Sequence, residues 1–169
     1  LRAAQQFGGP ASEIAAIKVG CTHAAILYPG CDHAGPFGNV LQAKMSIQFG
    51  VAATIASGAM SEANYARIDD SGIQALIDKI QLETDDALSA AYPARQGSEV
   101  TITTKDGRRF TSRLDDVVKA DADEVRGRFA RSAAEWLGAE RAKALETFVT
   151  GIAARDDVRQ IDGLCLPAT

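Results

Sequence analysis

The spacing of apolar side chains changes several times along the chain, and each change predicts an element. From Ile17, a two-residue alternation places Ile17, Val19, Cys21 and His23 on one face, which predicts a strand. From Asn39 the period becomes helical. Leu41, Met45, Gln48, Ala52 and Ile55 recur at that spacing, while Val40, Ile47 and Val51 cover other directions. This predicts one helix from Asn39 to Ser57, capped by Asn39, apolar on most sides and therefore buried. Ser71 with Gln74 three residues on reads as a capping box, and Ile73, Leu76, Ile77 and Ile80 give an amphipathic stripe. At Ile80, Leu82 and Thr84 the period falls back to two, so this helix should run directly into a strand. The alternating runs from Val100 to Lys105 and from Arg108 to Leu114 flank Asp106 and Gly107, the pair that best suits a type I′ hairpin turn.

Between these elements the chain carries strong punctuation. Leu1 to Phe7 reads as the tail of a helix stopped by Gly8, Gly9 and Pro10, and an opening inside an element predicts further chain upstream. The segment from Tyr28 to Gly38 holds two prolines and three glycines in eleven residues, a density that predicts a loop of special backbone geometry. From Asp121 the chain turns helical. A capping box, Asp121 with Glu124, starts the stripe Val125, Phe129, Ala133, Trp136 and Leu137, which ends at Gly138. A second stripe follows in Leu145, Phe148, Val149 and Ile152, then a short last turn with Val158, Ile161 and Leu164 before Pro167. The sum predicts an α+β fold: a small antiparallel sheet with helices over residues 1–119, then a helical C-terminal segment over residues 120–169.

Composition narrows the class. A chain of 169 residues with 46% apolar and 24% charged side chains has the length and content for a buried core, which argues against disorder. Its net charge of −4 and scattered basic residues leave no electrostatic footprint for nucleic acid. The longest apolar stretch, Val40 to Ala59, is interrupted by Gln42, Lys44, Ser46, Gln48 and Gly50, so it predicts a core helix and no membrane partner. Three cysteines make no disulfide framework, and a reducing compartment, the cytoplasm, is the expectation.

Four potential metal ligands fall close together in Cys21-Thr22-His23 and Cys31-Asp32-His33. Zinc sites favour gaps of two to four residues, so the competing reading of Cys21 as a buried thiol and His23 as a hydrogen-bonded core or interface histidine is preferred, with no metal. His33 differs. It lies beside Asp32 in the glycine-rich loop just before a helix N-terminus, a place suited to a carboxylate ligand, and an imidazole there can transfer protons. The alternative is a loop histidine that satisfies local backbone groups. On the helix, Lys44 shares a face with Gln48, and Gln42 with Ser46. A lysine in apolar surroundings needs an anion, so Lys44 is either paired to a protein carboxylate or reaches a substrate. The cations of the hairpin, Lys105, Arg108, Arg109 and Arg113, read as a solvated face. No Ser-His-Asp order, P-loop or dinucleotide fingerprint is present.

The run Gln42-Ala43-Lys44-Met45-Ser46-Ile47-Gln48-Phe49-Gly50-Val51-Ala52-Ala53, ending near Gly58, resembles the MmgE/PrpD family, which includes 2-methylcitrate dehydratase, cis-aconitate decarboxylase and iminodisuccinate epimerase. The order of the later elements, the helix-to-strand passage from Ile73 to Thr84, the hairpin at Asp106-Gly107 and the opening Val125-Arg126-Gly127-Arg128-Phe129, extends the resemblance over nearly the whole chain. It implies a small α+β lid over a helical domain, followed by the chain's return to that domain, in a homodimeric enzyme. The implied chemistry is proton abstraction next to a carboxylate on small di- or tricarboxylic acids, followed by dehydration, decarboxylation or epimerisation, with no cofactor. The resemblance makes Lys44, Ser46 and Gln42 candidates for substrate contact. His33, inferred from its loop, is the candidate acid or base. Phe49 departs from the tyrosine frequent in members, and Gln42 from the commoner glutamate. Most of the machinery would lie upstream, so this chain alone should lack turnover. The alternatives are a non-catalytic binding or subunit module with the lid fold and a small zinc-binding module.

Overall fold

A computed structural model describes residues 1–166; Pro167, expected to close the last turn, lies outside the described residues. The chain divides into two compact units, Leu1–Val117 and Val118–Thr169.

The first unit is built on four strands, β1 (Ile14–Cys21), β2 (Ile80–Thr84), β3 (Ser98–Thr104) and β4 (Arg109–Leu114), in the order β2-β1-β3-β4. The α+β class is as predicted, and the sheet is mixed: β1 pairs with β3 and β3 with β4 antiparallel, whereas β2 runs parallel to β1. The parallel pair follows from the connection, since the long helical crossover between β1 and β2 returns the chain in the same direction. Helices on one face supply the core partner: α1 (Arg2–Phe7), α2 (His23–Leu27), α3 (Val40–Met45), α4 (Ile47–Ser57), α5 (Ser71–Ile77) and α6 (Asp86–Ala91). Ile14, Ile17 and Ile102 from the sheet meet Phe49, Ile73 and Ile77 from the helices, and all six are almost fully buried. At about 1.5–3 kcal/mol for each such side chain, this layer supplies the main stabilising term of the unit.

Several predicted boundaries move, each for a local reason. The helix expected from Asn39 to Ser57 is two helices, broken at Ser46, whose backbone is extended at φ −70° and ψ 122°. Asn39 does cap the first, accepting from the Gln42 N–H at 3.1 Å. His23 leaves the strand and becomes the first residue of α2, because Thr22 caps that helix by accepting from the Ala25 N–H. The cap of α5 is Asp70 and not Ser71: one carboxylate oxygen takes both the Gly72 and Ile73 N–H groups, at 2.8 and 3.0 Å, where charge also suits the helix N-terminus. The hairpin turn is not type I′, since among the described residues no side-chain-bearing residue has positive φ. Thr104 C=O accepts from the Gly107 N–H, Gly107 alone takes φ 84°, and the Asp106 carboxylate is held by Thr104 and Arg108. That is a type I turn closed by a left-handed glycine.

In the second unit, α7 (Ala122–Leu137), α8 (Ala139–Thr150) and α9 (Ile161–Cys165) follow the predicted stripes. Asp121 caps α7 through the Glu124 N–H at 2.8 Å, and Gly138 ends it at φ 78°. Ala142, Leu145 and Phe148 of α8 are buried, and the Arg155 guanidinium stacks 4.0 Å from the Phe148 ring. No residue of α7 is fully buried: Phe129, Ala133 and Leu137 of its stripe are half-buried, whereas Val125 is 55% and Trp136 77% exposed.

Two outcomes test this packing. A Cβ at Gly97 would lie 2.5 Å from the Leu114 carbonyl oxygen and 2.6 Å from Leu88 Cδ2, so Gly97→Ala should cost about 1–3 kcal/mol in urea unfolding. The Arg113 guanidinium, followed by the Leu88 N–H, holds the Asp85 carboxyl below its usual range. A depressed folded pKa adds stability above the unfolded value of about 3.9 and loses it as pH falls through the folded value. Asp85→Asn should therefore flatten the acid limb of the stability curve below about pH 4.

Candidate functional site

The break at Ser46 organises the loop from Tyr28 to Gly38. In an unbroken helix the Ile47 N–H would bond back four residues; here it donates to the Cys31 carbonyl at 2.9 Å. The freed Ser46 side chain accepts from the Phe49 N–H at 3.0 Å, capping α4, and donates to the His33 carbonyl at 2.6 Å. Gln48, the second residue of α4 and only 4% exposed, completes the clamp: its Oε1 accepts from the His33 N–H at 3.2 Å, and its Nε2 donates to Asp32 Oδ1 at 2.6 Å. Gln42 accepts from the Gly38 N–H at 2.6 Å, and Gln74 on α5 donates to the Ala34 carbonyl at 3.1 Å. A loop that composition alone marks as irregular is thus fixed at five points to the helix layer.

The bracing leaves the His33 side chain available. The half-buried His33 ring lies edge-on to Phe37, centroids 5.1 Å apart, and among the described residues no group hydrogen-bonds to its nitrogens. Phe37 in turn meets Phe49 at 5.2 Å, and Phe49 stacks on Tyr65 at 5.8 Å. The ladder ends at Lys44, whose Nζ lies 5.2 Å from the Tyr65 ring centre and is paired with Glu62. Edge-to-face and stacked contacts of this kind add about 0.5–1.5 kcal/mol each beyond burial, so the imidazole sits against a stiff wall.

His33, Ser46 and Gln42 therefore meet at one loop, while Lys44 lies apart from it beside Glu62 and Tyr65. Ser46 is buried at 3%, and its hydroxyl is committed as both donor and acceptor within the chain. Gln42 is exposed and tied to Gly38. Lys44 is exposed rather than sunk in an apolar face, and Glu62 supplies its anion. Among the described residues, His33 is the one of the four whose side chain makes no hydrogen bond or ion pair. Sequence reasoning missed the Asp32–Gln48–His33 clamp, whose signal was a glutamine near the start of a mostly apolar buried helix. It also missed Glu62 and Tyr65, which lie in a short 3₁₀ stretch without periodicity.

The two Cys-x-His units do not assemble. Among the described residues no three Cys, His, Asp or Glu side chains gather as a metal site. Cys21 is buried, and desolvation, with smaller contributions from Asp32 and Cys31, pushes its thiol up. His23 is exposed at the start of α2, its N–H donating to Ser89 Oγ at 2.9 Å. No helix of the described residues is long and apolar enough to cross a membrane. The loop and its clamp can therefore position an imidazole for proton transfer.

Residues 1–152 match the family model of the MmgE/PrpD C-terminal domain. No curated protein matches the chain.

Removing the Gln48 amide strands the His33 N–H and frees Asp32. Gln48→Ala should lower stability by about 1–3 kcal/mol and abolish slow hydrogen exchange at the His33 amide, read by two-dimensional NMR. Unchanged protection at that amide would mean that Gln48 does not hold the loop.

Proposed function

From membership of the MmgE/PrpD family, to which this chain belongs through its C-terminal domain, we propose that it forms the lid side of an active site acting on small di- or tricarboxylic acids. The reaction is proton abstraction next to a carboxylate, leading to dehydration, decarboxylation or epimerisation. His33 is the group that moves the proton. The observation that carries this reading is the clamp of Gln48 and Ser46 on both backbone groups of His33, which fixes the residue while leaving its imidazole free. A positioned base of this type contributes about 10²–10⁴-fold to a proton transfer. Lys44, at the exposed end of the aromatic ladder, meets substrate only by exchanging Glu62 for a substrate carboxylate, which makes it a closing contact rather than a fixed clamp.

The second half of such a site comes from the helical domain that the family joins to this one. The exposure of Val125 and Trp136 on α7 supports a surface in that second unit that another helical body covers. A homodimer in the cytoplasm belongs to the same reading.

The test uses the 169-residue chain and a protein that adds the helical domain. The chain alone should turn over none of 2-methylcitrate, cis-aconitate or iminodisuccinate, and in the two-domain protein His33→Gln should lower kcat by about 10²-fold or more with little change in KM. Turnover by the isolated chain, or full activity of His33→Gln, would sink the proposal. The second outcome would favour a binding module that keeps the lid fold.

A further inference from the structure

The face of the sheet turned away from the helices carries a second feature, independent of the His33 loop. Lys18, Lys79, Thr101, Thr103, Arg109 and Thr111 surround a concavity of about 280 Å³. Strand register explains its shape. Ala16, Thr103 and Arg109 form one row across β1, β3 and β4, and Gln81, Lys18, Thr101 and Thr111 form the next across all four strands. Ala16 contributes only a methyl group, so it becomes the floor between longer neighbours. With strands about 4.8 Å apart and same-face residues about 6.6 Å apart, the opening matches a small molecule.

Its charge is anomalous for this chain. The protein carries a net charge of −4, yet among the described residues no carboxylate lines the concavity. Lys18 is partly neutralised by Glu83 at 2.7 Å. Lys79 donates to the Ile14 carbonyl at 2.8 Å, beside the irregularity in β1, which uses one of its three donors and none of its charge. Arg109 has no ion pair among the described residues. Its neighbours on the hairpin differ: Arg108 is paired with Asp106, and Arg113 with Asp85, Glu99 and Asp115. The Thr101 and Thr111 hydroxyls bond to each other at 2.8 Å, which leaves Thr103 beside Arg109 with a free hydroxyl. Two unneutralised cations and a hydroxyl around a small polar hollow match an oxyanion, which takes the arginine fork and the lysine point charge together.

We infer that this hollow binds a small oxyanion carrying two or more negative charges, of the phosphate or carboxylate type. The 169-residue chain, labelled with ¹⁵N, is titrated with sodium pyrophosphate and separately with citrate at constant ionic strength. Saturable shifts at the Thr101, Thr103, Arg109 and Thr111 amides are expected, and the tighter ligand identifies which oxyanion the site favours. Arg109→Gln and Thr103→Val lie on exposed or half-exposed strand positions and should weaken binding, the arginine change by about tenfold. Lys79→Gln should weaken it also. Lys105→Gln removes a nearby charge outside the hollow and should leave affinity unchanged. Absence of saturable shifts with both ligands at millimolar concentration overturns the inference. So does an equal loss in Lys105→Gln and Arg109→Gln, which would indicate a diffuse charge effect.

Discussion

The first unit depends on the interruption at Ser46 more than on any other local event. Breaking a helix ordinarily exposes donors at the new N-terminus and carbonyls at the old C-terminus, and each buried one left unmet costs about 1–3 kcal/mol. Here the Ile47 N–H goes to Cys31, the Phe49 N–H goes to Ser46, and the Ser46 proton goes to His33. The break therefore loses few bonds and transfers the rest to the loop. Because α4 is apolar on nearly all sides and packs Phe49, Ala52 and Ala53 into the core, its position is fixed by burial, and the loop inherits that rigidity. The chain thus orders an irregular segment by bonding it to a helix end.

The same arrangement explains which features could be read from the residues. Periodicity exposed α5, β2, β3, β4 and α8 because each turns one face toward its neighbours, and that is what periodicity records; α7 carries the same kind of stripe although none of its residues is fully buried. It could not expose the break at Ser46, since apolar side chains continue through it on every side and a serine cap looks like any polar residue on a buried helix. The α6 segment, Asp86 to Ala91, buries Leu88 alone and so leaves no stripe. The parallel pairing of β2 lies beyond local pattern too, because direction depends on where the crossover returns. At the site, the loop and His33 were legible from glycine, proline and histidine placement. The partners that fix them, Gln48 and Gln74, were not, because they act across 15 and 40 residues of sequence.

Three of the four candidate site residues have partners within the chain: Lys44 has Glu62, Ser46 the His33 carbonyl and Gln42 the Gly38 N–H. Only Ser46 is buried, so only there does burial demand the bond; Lys44 and Gln42 are exposed, where such bonds exchange readily with solvent or ligand. Ser46 and Gln42 brace the loop, and Lys44 lies apart from it. His33 is distinguished by the reverse condition, with its backbone satisfied and its ring left open.

The sheet separates two chemical environments by the alternation of its strands. On one face Ile17, Val19, Ile102 and Phe110 meet the helix layer that braces the His33 loop; on the other, the intervening Lys18, Thr101, Thr103, Arg109 and Thr111 meet solvent. Charge is sorted along that outer face as well. Near the ends of β1 and β2 that adjoin α2 and α6, Glu83, Asp85 and Glu99 gather around Lys18 and Arg113, while toward the hairpin turn the cations outnumber the carboxylates. A register shift of one residue would exchange the two faces, burying Arg109 and exposing Phe110. The buried side is thus what fixes the register that places Arg109, Thr103 and Ala16 in one row. Core packing and the cationic hollow are two consequences of the same strand alignment.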